Sequence, residues 1–161
     1  MTMNRFYHQA DMPIFANEPT SNRFYPSDMP AFANEPTRDR FDIVRIDDGI
    51  GVGVMTCEDF KAGDLIFSFT GFLSNEITQY TLQISDGLHL HDPFFMGRVL
   101  HSCDPNASCD METRHFYALR DIEAGEFITM DYCETEDFLF KTFPCSCDAD
   151  NCRGVVKGRK Q

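Results

Sequence analysis

A mostly β fold is predicted for this chain of 161 residues by three observations. Sixteen Phe stand against no Trp, Gly and Pro recur at short intervals, and the apolar stretches are brief and bounded by turn residues. With 42% hydrophobic residues, the chain supports one core. At this size it buries about two thirds of its unfolded surface and has no room for a second enzyme domain.

The elements follow in order. Asn4 to Thr20 returns, one residue shorter, as Asn22 to Thr37, a tandem duplication. A stable solenoid needs about three repeats, and the prolines oppose helix. Residues 1–38 are therefore expected to form an extended or partly disordered arm that packs its Phe residues on the domain or on a partner, or else serves no role of its own. Phe41–Ile46 and residues 52–56 read as strands, with Asp47, Asp48 and Gly49 turning between them. The five-residue stretches that begin at Phe60 and at Ile122 share the pattern apolar, charged, Ala, Gly, acidic, and each precedes a β-rich run, 65–69 and 127–130. Residues 80–84 and 114–119 are further short strands. Residues 138–154 are rich in aromatics and Cys and too irregular to hold themselves without metal.

The formal charge of -12, from 26 acidic against 14 basic side chains, repels a phosphate backbone and favours basic partners. Direct binding to nucleic acid is not expected, and the same acidity keeps a small domain soluble. Seven Cys is an odd number. No charged leader precedes an apolar segment, and no apolar run approaches the ~20 residues of a membrane span. The expectation is a soluble, intracellular protein whose cysteines are metal ligands or buried thiols.

Cys145, Cys147 and Cys152 form a C-x-C-x4-C run that offers three thiolates to one zinc ion from a single small loop. A fourth ligand must come from elsewhere, and Cys103, Cys109 and Cys133 compete for the place. A zinc-ribbon-like nucleic-acid binder is a poor alternative, because one such cluster on an acidic chain supplies neither a second knuckle nor a basic face.

Upstream of that run stand His101-Ser102-Cys103-Asp104-Pro105-Asn106 and the Asp131-Tyr132 pair. Together and in this order, the three segments resemble the signature of SET-domain protein lysine methyltransferases with a post-SET zinc tail. The resemblance runs from about Asp42 to Gly154. It implies small curved β-sheets with a pseudoknot, short helices and a C-terminal zinc-bound loop. The division implied is an arm over 1–38, a SET domain over 39–136 and a post-SET tail over 137–161. It also implies that Cys103 completes the zinc site and that S-adenosylmethionine binds in an open pocket, with the target lysine entering a narrow channel from the other side.

By the same resemblance, Gly49, Ile50 and Gly51 bend the backbone around the methionine end of the cofactor, Tyr80 contacts it, and Leu100 and His101 offer main-chain groups to the adenine. Tyr132 is the catalytic residue, aligning lysine nitrogen, methyl carbon and sulfur. About one lysine in a thousand is neutral near physiological pH, so the amine must lose its proton in the site. Like-charge repulsion from a sulfonium, an apolar channel and the Tyr132 hydroxyl would lower its pKa.

Several positions depart from the family pattern. Leu100 replaces an Asn whose side chain contacts the cofactor's amino group, and Gly97 replaces an Arg, with Arg98 one place along. Phe69 replaces a Tyr and Phe72 a Glu. Met130 takes the place of a Phe or Tyr that governs how many methyl groups fit, leaning the expectation towards more than one. Phe138, Phe140 and Phe143 are placed to wall the lysine channel or the adenine. Leu100, Phe69 and Phe72 also motivate an alternative, a catalytically weak SET-like, zinc-stabilised binding module. The expected partner is a basic lysine-containing protein, a histone or ribosomal protein among the options.

Overall fold

The computed structural model describes residues 36–37, 39–46 and 51–161. The arm up to residue 35, the turn at 47–49, Gly49 and Ile50 lie outside the described residues.

Twelve short strands occur among the described residues. They are β1 (Phe41–Ile46), β2 (Gly51–Thr56), β3 (Leu65–Ser68), β4 (Phe72–Ser74), β5 (Thr81–Ser85) and β6 (Leu88–His91). The rest are β7 (Leu100–His101), β8 (Ala107–Asp110), β9 (His115–Ala118), β10 (Thr129–Met130), β11 (Phe143–Pro144) and β12 (Val155–Val156). Turn residues interrupt every apolar run before a helical period can establish itself. Among the described residues, the expected short helices are two 3-10 turns, Met96–Arg98 and Tyr132–Glu134.

β1 and β2 pair as an antiparallel hairpin, with Phe41 and Ile43 turned inward. Two three-stranded sheets follow, ordered β3-β9-β8 and β4-β6-β5. Buried residues of both sheets join one core, whose aromatic centre is Phe67 of β3. Its ring lies 4.6 Å from Phe116, 4.9 Å from Phe95 and 5.5 Å from Phe41. The two similar turn sequences pair with each other: Phe60 and Ile122 exchange backbone hydrogen bonds of 2.8 and 2.9 Å. His89 and His91 lie in β6 and His115 in β9, as strand histidines.

The segment leading into β10 sits between two other strands. Ile128 N–H donates to Val54 O at 2.8 Å on one side, while Thr129 and Met130 pair in parallel with Leu100 and His101 on the other. This crossing corresponds to the expected pseudoknot. Asn106 holds it: its amide donates to Phe127 O at 2.8 Å and accepts from Thr129 N at 2.8 Å, and the residue is 2% exposed. Asn106→Ala would leave two buried main-chain groups unpaired, each costing about 1–3 kcal/mol. We expect urea denaturation to report a loss of roughly 2–4 kcal/mol with an unchanged m-value, and a loss below about 0.5 kcal/mol would remove Asn106 as the staple.

Candidate active site and metal centre

A cleft of about 500 Å³ opens between β2, β5, the β7 strand and the chain after β10. Gly51, Tyr80, Leu100 and Tyr132, four residues expected around one cofactor, all line it, as does Met130. Gly51 adopts φ +104°, a backbone state that favours glycine and lets the chain turn sharply at the cleft edge. Gly97 is required by packing. A Cβ there would lie 2.4 Å from Asp92 O and 2.6 Å from Tyr80 Cα, so no larger side chain fits. Its neighbour Arg98 lines the cleft, its guanidinium carbon 5.1 Å from the centre of the Tyr80 ring and its Nε donating to Pro93 O at 2.6 Å.

Tyr132 opens the second 3-10 turn, which Asp131 caps by accepting from Cys133 N at 3.0 Å. The Tyr132 hydroxyl donates to Val99 O at 2.8 Å. Burial, assisted by the nearby Glu136 charge, raises its pKa well above the ordinary tyrosine value, so the phenol stays protonated. Its proton is committed to Val99, which leaves the oxygen lone pairs as the groups it can present to a ligand N–H.

His101 carries its side chain away from the cleft lining. Its ring stands 5.1 Å from that of Tyr132, and Nδ1 accepts the Tyr132 backbone N–H at 3.2 Å. That bond requires an unprotonated Nδ1, so the proton of the neutral ring is on Nε2, 3.4 Å from Cys103 Sγ. Burial lowers the His101 pKa, and Arg153 adds to the shift against the opposing pull of Asp131.

Cys103 closes a cluster with Cys145, Cys147 and Cys152 in which all four sulfurs lie within 4.8 Å of one another. Tetrahedral zinc with Zn–S near 2.3 Å places its sulfurs about 3.8 Å apart. Cys103 and Cys145 stand at 3.8 Å. The loop is built for this: β11 and β12 close its base, Cys145 N donates to Gly154 O at 2.9 Å, and Asp148 and Gly154 turn it through positive φ. Backbone N–H groups point at sulfur, from Cys103 to Cys147 at 3.5 Å and from Arg153 to Cys103 at 3.4 Å. The Cys103 N–H pulls the Cys147 thiol down to about 6, while burial pushes Cys145 up to about 12. A divalent cation held by all four would favour the thiolate throughout. The donor set and spacing fit zinc. Cys109 and Cys133, the competing candidates, stand outside the cluster, Cys109 buried beside Met111 and Cys133 donating to Lys157 O.

The four-cysteine cluster is wired to the Asp131-Tyr132 pair. Besides the His101 link, Arg153 follows Cys152 directly and its guanidinium contacts Asp131 Oδ1 at 2.6 Å. Burial pushes the Asp131 carboxyl up, but the Arg153 and Cys133 donors outweigh it and hold the pKa below the usual range.

Other expectations divide. Phe140 and Phe143 line the cleft, whereas Phe138 does not. Phe69 is fully buried against Phe67 and Phe116 in the core, so its missing hydroxyl takes nothing from the cleft. Phe72 sits in β4 opposite His91. Glu136, also in the lining, was not anticipated: no motif marks it, and only the turn after Tyr132 carries it to the cleft.

A family model described as "SET domain" matches residues 51–133, just over half of the chain. The chain belongs to the SET-domain family. The matched region of this SET domain includes the cleft glycine, Tyr80, the His101 motif and Tyr132, and ends before the cysteine loop. Among its relatives is a "Variant-silencing SET domain-containing protein" of Plasmodium falciparum, 32% identical over 138 residues, covering 68% of this chain and 5% of that protein. "Histone-lysine N-methyltransferase ash1" of Drosophila melanogaster is 34% identical over 99 residues, covering 54% of this chain and 4% of its own. "Methyltransferase flvH" of Aspergillus flavus is 30% identical over 100 residues, covering 60% of this chain and 56% of its own. The chain thus spans well under two thirds of each. The fold is shared with KRYPTONITE in complex with mCHH DNA, H3(1-15) peptide and SAH, at TM-score 0.56 and 22% identity over 73% of this chain and 30% of that one. Among the described residues, no helix is long and apolar enough to cross a membrane.

Proposed function

We propose that this SET domain is an S-adenosylmethionine-dependent protein-lysine N-methyltransferase that acts on a basic protein, with a histone tail as one candidate. The observation that carries the reading is the Tyr132 hydroxyl, fixed on Val99 O in the wall of a single cleft with Gly51, Tyr80, Leu100 and Met130. The cleft volume falls in the usual range for cofactor sites, about 300–1,000 Å³. SAH in the KRYPTONITE structure, and the methyltransferase names of the relatives, support the cofactor. The peptide in that structure and this chain's acidity support a basic protein partner. The same charge argues against direct contact with DNA here, although the KRYPTONITE complex contains it.

Bound S-adenosylmethionine supplies an electrophilic methyl group on a sulfonium. Gly51 and the main chain of Leu100 and His101 bind and orient it, and the family resemblance assigns Gly49 and Ile50, which lie outside the described residues, to the same cofactor. Tyr80 and Arg98 form one wall. Tyr132 accepts a hydrogen bond from the incoming amine and directs its lone pair; with its own pKa raised, it orients rather than removes a proton. Phe140 and Phe143 exclude water on the tail side. Met130, 1% exposed, offers no hydroxyl to hold a water beside the amine, which favours addition of more than one methyl.

Residues 39–136 act as the SET domain and 137–161 as a zinc tail, tied at Cys103 by the metal. Zinc has a structural role in this reading, and Cys103, Cys145, Cys147 and Cys152 are its ligands. The decisive experiment is calorimetry of the zinc-loaded protein with S-adenosylmethionine, alongside label transfer to mixed basic proteins. Saturable binding with lysine-linked label supports the enzyme. Absence of cofactor binding in folded, zinc-loaded protein would leave the binding-module reading in its place.

A further inference from the structure

The cleft contains one acidic group that neither the motifs nor the reading above employ. Arg45, Arg98 and Lys141 supply positive charge to its lining, and Glu136 is the only carboxylate among the described lining residues. Its backbone N–H donates to Tyr132 O at 2.9 Å, so a single turn carries both side chains to the same cleft. The residue is 2% exposed. Its hydrogen bonds all fall on Oε1, which accepts Gln83 N at 2.7 Å and the Thr135 hydroxyl at 2.9 Å. No described residue donates to Oε2.

We propose that Glu136 forms an ammonium-binding subsite beside Tyr132, taking the α-amino group of the cofactor or the amine of the target side chain. The inference rests on the methyl-transfer reading for its ligands. An ionised carboxylate withdrawn from water is costly unless a cation or several donors face it. The Glu136 carboxyl is pushed above the usual range by burial, and Asp137 adds to this. Arg159, whose opposing charge acts on Glu136, is engaged elsewhere. It contacts Asp137 at 2.9 Å and the carbonyls of Glu134 and Thr135 at 3.1 and 3.0 Å. One oxygen thus fastens the turn to β5, and the other is left for a ligand. An alkylammonium satisfies it with a charge-assisted hydrogen bond.

Glu136→Gln separates the two roles, because the amide oxygen keeps the bonds to Gln83 and Thr135 while the charge is lost. If the cofactor's amino group is the ligand, S-adenosylmethionine should bind ~10-fold or more weakly to the variant, whereas an analogue lacking that amino group should bind both proteins alike. If the target amine is the ligand, cofactor affinity stays and the KM of a lysine peptide rises ~10-fold or more. A variant that melts like the wild type and changes neither constant overturns the subsite. A wild type that binds no cofactor overturns the underlying enzyme reading instead. Titration of wild-type protein with n-butylammonium, followed by NMR at the Glu136 carboxyl carbon, needs neither the variant nor the enzyme. A saturable shift that 1-butanol does not produce supports the subsite, and no shift overturns it.

Discussion

Tyr132→Phe is expected to lower kcat roughly 100-fold or more while leaving cofactor affinity and the KM for a lysine peptide nearly unchanged. The hydroxyl is the only atom removed, and its bond to Val99 O at 2.8 Å fixes it at one point in the cleft wall. Without it, an incoming amine keeps its space but loses the acceptor that directs its lone pair. Val99 O also loses its donor, so a fall in stability of about 1–3 kcal/mol should accompany the kinetic loss. Single-turnover rates at saturating cofactor and peptide separate the two effects. A kcat within about threefold of wild type would remove Tyr132 from the chemistry, since positioned hydrogen-bonding groups contribute at least ~100-fold.

Metal removal should have an even broader effect. Apparent zinc affinities in small folded loops correspond to about 10–16 kcal/mol, far above what the two-residue strands β11 and β12 hold by themselves. We expect one zinc per chain and, after chelation, rapid amide exchange over residues 143–156 while the β3-β9-β8 sheet stays protected. The Tyr132 amide should exchange faster as well, because its acceptor His101 leans on Cys103 and its neighbour Asp131 on Arg153. Methyl transfer should fall to background. Cys103→Ser should reproduce much of this, and Cys57→Ser should not, since Cys57 is exposed, stands outside the cluster and directs its thiol to Asp42. Full activity and unchanged exchange in metal-free protein would disconnect the cluster from the site.

The tail is not held by metal alone. Arg159 and Lys160 both contact Asp137, at 2.9 and 2.8 Å, and the Gln161 side chain bonds both Leu139 N and O at 3.0 Å. This clasp fastens the chain on either side of Glu136. It was not legible in the sequence, because a run of charges at a chain end carries no sign of which partner it meets.

Strands β1, β2, β3, β5, β9 and β10 were legible from apolar runs between turn residues, each within a residue or two of the observed bounds. β4, β6, β7 and β8 were not. They are three or four residues long at most, and Leu88–His91 alternates His with Leu in a way that only pairing between β4 and β5 makes into a strand. Phe69, which follows β3, illustrates the converse case: the motif marks it as the family's Tyr position, and the fold packs its ring against Phe67 and Phe116 in the aromatic core.

What the sequence by itself determined was chemical identity: a β-rich single core, three clustered thiolates in need of a fourth, a Tyr after Asp, and an acidic surface. These follow from residue type and local spacing. Residue type and spacing left Cys103, Cys109 and Cys133 open as the fourth sulfur, and the family resemblance pointed to Cys103; tertiary structure decided the placement itself, bringing Cys103 beside Cys145, Cys147 and Cys152. The parallel pairing of β7 with β10 sets the His101 ring beside Tyr132, and the turn after Tyr132 carries Glu136 to the cleft. Contacts between residues some 30 to 50 apart arise from strand register and chain crossing, which are global properties with no local signature.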